Sequence, residues 1–170
     1  MPQRRRCGAA PSPPSPDVHR TEHAVEIDAP ASAIFPYLVE SEKRLAWMGA
    51  LVESEQLTGG RPGIGTRFRD VFEEYGQRIE IDAELVEVDP GRRLRVRLDA
   101  NGFDAVSTQE LEEARDRTRV KAVVETDYKM LAARLLGPVV ARHAQKQLEA
   151  DLARLKEIVE ADTGEQEAEP

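Results

Sequence analysis

Between Leu51 and Asp127 apolar side chains recur at every second position, in runs broken by short turn-forming segments. The runs Leu51 to Leu57, Thr66 to Glu73, Gln77 to Val88, Arg92 to Leu98, Phe103 to Leu111 and Thr118 to Asp127 are predicted strands. Their separators, such as Asp89-Pro90-Gly91 and Asn101-Gly102, are too short to hold crossover helices, so the sheet is an antiparallel meander. Upstream, Val25 and Ile27 alternate with acids as one more strand, which Asp28-Ala29-Pro30 ends with helix-start chemistry. A short helix carrying Ile34, Phe35 and Leu38 follows, and Pro36 is tolerable if that helix starts near Ser32, so that its missing N–H falls in the first turn. Ser41 is expected to cap a second helix bearing Leu45, Trp47 and Met48, stopped by Gly49.

The last periodic segment is helical: Leu135, Val139, Leu148, Leu152, Leu155 and Val159 fall on neighbouring helix faces. With Pro138 in its first turn the helix runs to Ala161, roughly 36 Å at about 1.5 Å per residue, after a separate lead-in over Met130 to Leu136. Residues 1–18 are Pro-rich with almost nothing to bury, and residues 162–170 are acidic with no apolar residue larger than Ala, so both are expected to be disordered. The fold class is α+β, a single domain over residues 20–161 with the order β-α-α-β6-α.

Composition narrows the function. The net charge of −8 divides into +2 over residues 1–19, −5 over residues 160–170 and −5 between them, which disfavours a phosphate-binding surface and therefore nucleic acid. Cys7 is the single cysteine, so no disulfide or Cys-based metal site is expected and a reducing cytoplasm fits. No apolar run approaches the roughly 18 residues of a membrane span. The three histidines have no partners at ligand spacing, no serine stands in a nucleophile elbow, and Gly59 to Gly65 lacks the Gly-Lys-Ser/Thr ending of a phosphate loop. No metal or cofactor is expected.

Local motifs carry a family resemblance. Ile27-Asp28-Ala29-Pro30 leading into Ile34-Phe35-Pro36-Tyr37-Leu38, Trp47, Gly63-Ile64-Gly65-Thr66-Arg67-Phe68, Asp89-Pro90-Gly91-Arg92-Arg93-Leu94 and Leu135-Leu136-Gly137-Pro138 resemble the polyketide cyclase/dehydrase branch of the SRPBCC superfamily. The resemblance covers about Thr21 to Glu160 and implies a helix-grip fold, a curved seven-stranded sheet wrapped around a long C-terminal helix, as in START domains and the birch-pollen allergen. It implies a cavity and not a reaction, because the matched residues are turns, caps and core positions.

Candidate site residues follow from strand and helix faces. Phe68, Asp70 and Phe72 share one face, so if that face is concave a carboxylate enters the cavity and either has its pKa raised or takes a partner. The competing readings turn Arg67, Arg69 and Val71 inward or leave Asp70 at a solvated rim. His143 sits beside the apolar stripe of the last helix and is the second candidate proton carrier, against a reading at the edge of that stripe. Gln109 shares a strand face with Phe103, Ala105, Ser107 and Leu111 and is a hydrogen-bonding candidate. Val124, Leu135 and Val139 are candidate lining residues, and Tyr37 and Trp47 lie near element ends where a cavity mouth is expected, although Trp47 is equally a core residue.

The leading expectation is a module that binds a small hydrophobic molecule for carriage, sensing or sequestration. A cyclase or dehydratase using Asp70 and His143 is the alternative. A protein-interaction module is a third, disfavoured by the charged strand faces.

Overall fold

The computed structural model describes residues 18–74, 76–129 and 137–168, with the side chains of the last helix described over 139–165. The N-terminal arm up to residue 17, Tyr75 and the segment Met130 to Leu136, including Leu135, lie outside the described residues.

Strand β1 (Val18–Ile27) is followed by helices α1 (Ala31–Val39) and α2 (Ser41–Trp47), strands β2 (Leu51–Gln56), β3 (Arg67–Glu74), β4 (Gln77–Asp89), β5 (Arg93–Ala100), β6 (Phe103–Ala114) and β7 (Arg117–Tyr128), and helix α3 (Gly137–Ala168). The strands form one curved, open, fully antiparallel sheet in the order β1-β7-β6-β5-β4-β3-β2. Short turns allow only this meander, and β1 extends it by pairing with β7 from Val18↔Asp127 to Ile27↔Thr118. At the β4–β5 turn, Arg92 N–H donates to Asp89 C=O (3.0 Å) across Pro90 and Gly91, and Gly91 at φ 74 supplies the left-handed position that a type II turn requires.

Alternation places Phe68, Ala83, Leu85, Leu94, Leu111 and Val120 on the concave face, where they pack on Ile34 and Leu38 of α1 and on Leu152, Leu155 and Val159 of α3. The opposite face carries ion pairs such as Arg93 with Glu110 (2.9 Å) and the pair Arg97–Glu84. Arg93, Arg95 and Arg97 alternate onto this charged outer face.

Three local expectations are corrected. Helix α1 begins at Ala31, near Ser32 as expected, but Pro36 is its sixth residue, beyond the first turn, and removes an N–H that would have bonded Ser32. Ser32 is exposed, on the side where water can satisfy the freed carbonyl, and the N-terminus is held from outside by Glu113 of β6, whose Oε2 accepts from Ala31 N–H (2.7 Å). In α2, Glu40 is the cap residue, Ser41 already lies within the helix, and the buried side chain beside Trp47 is Arg44, while Leu45 is exposed. Finally, α3 continues past Ala161 to Ala168, because Asp162 accepts a hydrogen bond from the Tyr37 hydroxyl and Thr163 Oγ1 donates to Val159 C=O (2.8 Å). The tail therefore does not dangle from residue 162.

Candidate functional site

Packing on the concave face grades from one end of α3 to the other. Toward the C-terminal half, Leu152, Leu155 and Val159 are almost wholly buried against the sheet. Toward the N-terminal half, Val140, Ala141, Ala144 and Leu148 are only half-buried, and so are the sheet residues Phe72, Ile79, Val96, Leu98, Phe103 and Val124. Apolar side chains on the inner face of a sheet are normally covered, so half-burial along a contiguous set marks solvent-accessible space beside these side chains. This space lies toward the start of α3.

Cross-strand register orders the wall of this space. On β5, β6, β7 and β1 successive inward rows are Leu94, Gln109, Ala122 and His23, then Val96, Ser107, Val124 and Thr21, then Leu98, Ala105, Thr126 and His19. At the open end the Tyr128 ring contacts His19 edge-on (5.5 Å between centroids) and lies 6.2 Å from Phe103. Burial, and then the nearby charge of Glu74, raise the Tyr128 pKa, so its hydroxyl keeps its proton. Gln109 Nε2 donates to Ser107 Oγ (2.7 Å), and the buried Gln109 Oε1 has no hydrogen-bond partner.

The sequence-derived candidates separate into groups. Phe72, Gln109 and Val124 line the half-buried part of the concave face. Phe68 and Asp70 share that face, as alternation required, and are fully buried, so Asp70 is not at a solvated rim; Arg67 and Arg69 point to solvent, while Val71 is buried. Asp70 has taken a partner: Arg44 pairs with its Oδ2, and Ser54 Oγ donates to its Oδ1 (2.7 Å). The Arg44 guanidinium also lies over the Phe68 ring at 5.2 Å. A carboxylate so engaged is a tether between α2, β2 and β3. Tyr37 and Trp47 are core residues rather than mouth residues, since Trp47 Nε1 donates to Tyr37 C=O (2.8 Å) and Tyr37 reaches Asp162 at the far end of α3. Burial, followed by that hydrogen bond, pushes the Tyr37 pKa up to about 12.

Val139 is a correction. It is 70% exposed, because nine residues at about 100° each put it on the opposite side of α3 from Leu148. His143 is related to Leu152 in the same way and lies at the flank, 3.8 Å from Glu74, in an open notch of about 340 Å³ with Gly49 and Gln147. A second open cleft, about 930 Å³ at the other end of the sheet, is walled mainly by charged residues including Glu113, Arg115, Arg117 and Glu160. Among the described residues no group of three or more His, Cys, Asp or Glu is arranged to hold a metal ion, and no helix is long and apolar enough to cross a membrane.

The residues that sequence reasoning missed are Arg44, Ser54 and Asp162. Arg44 had one signal, its i, i+3 spacing from Trp47 on the buried face of α2.

The profile of the family described as polyketide cyclase / dehydrase and lipid transport matches residues 18–160. No curated protein has a significant match to the chain. Among solved structures, a protein of Thermus thermophilus superposes with a TM-score of 0.73 at 21% identity, covering 84% of this chain and 98% of its own. A START superfamily protein of Mycobacterium smegmatis gives 0.71 at 20% identity, with 84% and 98% covered. The Zhui aromatase/cyclase of a Streptomyces species gives 0.70 at 17% identity, with 84% and 94% covered. At these identities the likeness is one of fold.

Proposed function

From the premise that this chain belongs to the polyketide cyclase / dehydrase and lipid transport family, we propose that it binds a small, uncharged hydrophobic ligand between the N-terminal half of α3 and the sheet. The observation that carries this is the packing gradient: Leu152, Leu155 and Val159 are buried, whereas Leu148, Val96, Leu98 and Phe72 are half-buried one or two turns away. An apolar wall with a few polar groups, open at one end, has the form of a small-molecule site. The purpose is carriage, sensing or sequestration in the cytoplasm, the compartment that fits a chain with one cysteine.

A cyclase or dehydratase is the alternative, supported by the family description and the aromatase/cyclase neighbour. It is the weaker reading because Asp70 is bound to Arg44 and Ser54, and His143 stands at the flank beside Glu74. Native mass spectrometry of the purified protein tests the binding reading, with an expected co-purifying hydrophobic molecule at one per chain. A protein that carries nothing and binds no member of a panel of fatty acids, quinones and aromatic polyketides contradicts it.

A further inference from the structure

Among the described residues of β5–β7, the Gln109–Ser107 pair stands inside the half-buried wall with bonding capacity unused. Gln109 Nε2 is committed to Ser107 Oγ at 2.7 Å, while Gln109 Oε1 is buried and accepts nothing. Ser107 is 8% exposed and, having accepted that bond, keeps its own proton to donate. Two neighbouring residues therefore offer one acceptor and one donor side by side. Their register neighbours are apolar: Leu94 and Ala122 flank Gln109, and Val96 and Val124 flank Ser107. No Lys or Arg shares this face between Phe103 and Leu111 of β6 or at the paired positions of β5 and β7.

Buried polar groups in folded proteins are nearly always satisfied, and an orphan acceptor inside a binding space is complemented by what that space receives. Resting on the binding reading above, we infer that Gln109 and Ser107 determine specificity for a ligand bearing a neutral hydroxyl, which donates to Gln109 Oε1 and accepts from the Ser107 hydroxyl. An ether or hydrocarbon of the same shape leaves Gln109 Oε1 buried and unpaired, which disfavours it. A carboxylate ligand is disfavoured as well, because its oxygens cannot donate to Gln109 and no Lys or Arg at these positions of β5–β7 offsets its desolvation.

Titration calorimetry with 2-naphthol and 2-methoxynaphthalene tests the inference, each affinity being corrected for the compound's own partition into octanol. The wild-type protein is expected to prefer 2-naphthol by roughly tenfold. Gln109→Leu should abolish the preference, and Ser107→Ala, a smaller change, should reduce it without altering the melting temperature by more than a few degrees. Equal corrected affinities in the wild type, or a preference that survives in both variants, overturn the assignment while leaving the cavity reading standing. Binding of neither compound overturns the cavity reading and the assignment with it.

Discussion

Arg44 of α2 and Asp70 of β3 form a buried ion pair, the arginine 8% and the aspartate 0% exposed, and Ser54 of β2 completes the coordination of the carboxylate. Two charges taken out of water are tolerable only because each faces the other and the spare lone pairs are occupied. Removing one partner is far more damaging than removing both. Asp70→Ala should cost about 3–5 kcal/mol in urea unfolding, and Arg44→Met combined with Asp70→Leu should recover most of that loss. If Asp70→Ala is nearly neutral, the pair is not a tether.

The packing gradient along α3 makes a graded series of substitutions. Leu152→Ala and Leu155→Ala should each destabilise by about 2–5 kcal/mol, as large-to-small changes in a filled core do. Leu148→Ala, at a half-buried position, should cost clearly less, and Val139→Ala should fall within about 0.5 kcal/mol of wild type. Chemical denaturation measures all four, and equal losses at Leu148 and Leu152 would remove the gradient.

The Tyr37–Asp162 hydrogen bond gives an alkaline signature. Folding raises the Tyr37 pKa from about 10 to about 12. Above the unfolded value the unfolded chain holds fewer protons than the native one, so stability falls as pH rises between the two values. Tyr37→Phe should flatten that limb of the melting-temperature profile. Truncation after Ala161 removes the acceptor and should lower the melting temperature at neutral pH, an outcome that distinguishes a docked helix end from a loose tail.

Asp151 of α3 provides a test at the acid end of the pH range. Burial raises its pKa, outweighing the hydrogen bonds that its Oδ1 accepts from Gly49 N–H and Gln147 Nε2 (2.9 Å each). A carboxyl whose native pKa is raised stabilises the fold at low pH and loses that contribution as pH climbs through the native value. Asn keeps the accepting oxygen without the charge. Asp151→Asn should therefore raise the melting temperature at pH about 7 and match wild type at pH about 3, where the carboxyl is largely protonated in both states. A variant less stable than wild type at neutral pH would contradict this.

Much of this architecture is legible in the chain because strand alternation and turn chemistry are local: Asp89-Pro90-Gly91-Arg92 specifies its turn, and Phe68, Asp70 and Phe72 specify a shared face. What is not legible depends on contacts between distant segments. That Asp70 meets Arg44 requires α2 to cross β3, and that Pro36 stands in the sixth position of its helix requires Glu113, 82 residues from Ala31, to hold the N-terminus. Residue 162 reads in sequence as the start of a loose tail because Tyr37, which donates to it, stands 125 residues earlier. Val139 joins the lining only if helical spacing is read loosely, and the geometry of α3 moves it by half a turn.

The accessible space beside the N-terminal half of α3, if uncharged apolar molecules occupy it, has a direct readout in fluorescence titration with the uncharged probe N-phenyl-1-naphthylamine. The comparison is between wild type and Val96→Trp, whose larger side chain would fill the space beside Ser107 and Leu85. Saturable one-to-one binding is expected, with an affinity nearly constant from about 0.05 to 0.5 M salt because no screened charge contributes, and a loss of roughly tenfold or more in Val96→Trp with the fold intact. Absence of saturable binding, or binding that Val96→Trp leaves unchanged, would contradict a ligand space between α3 and the sheet.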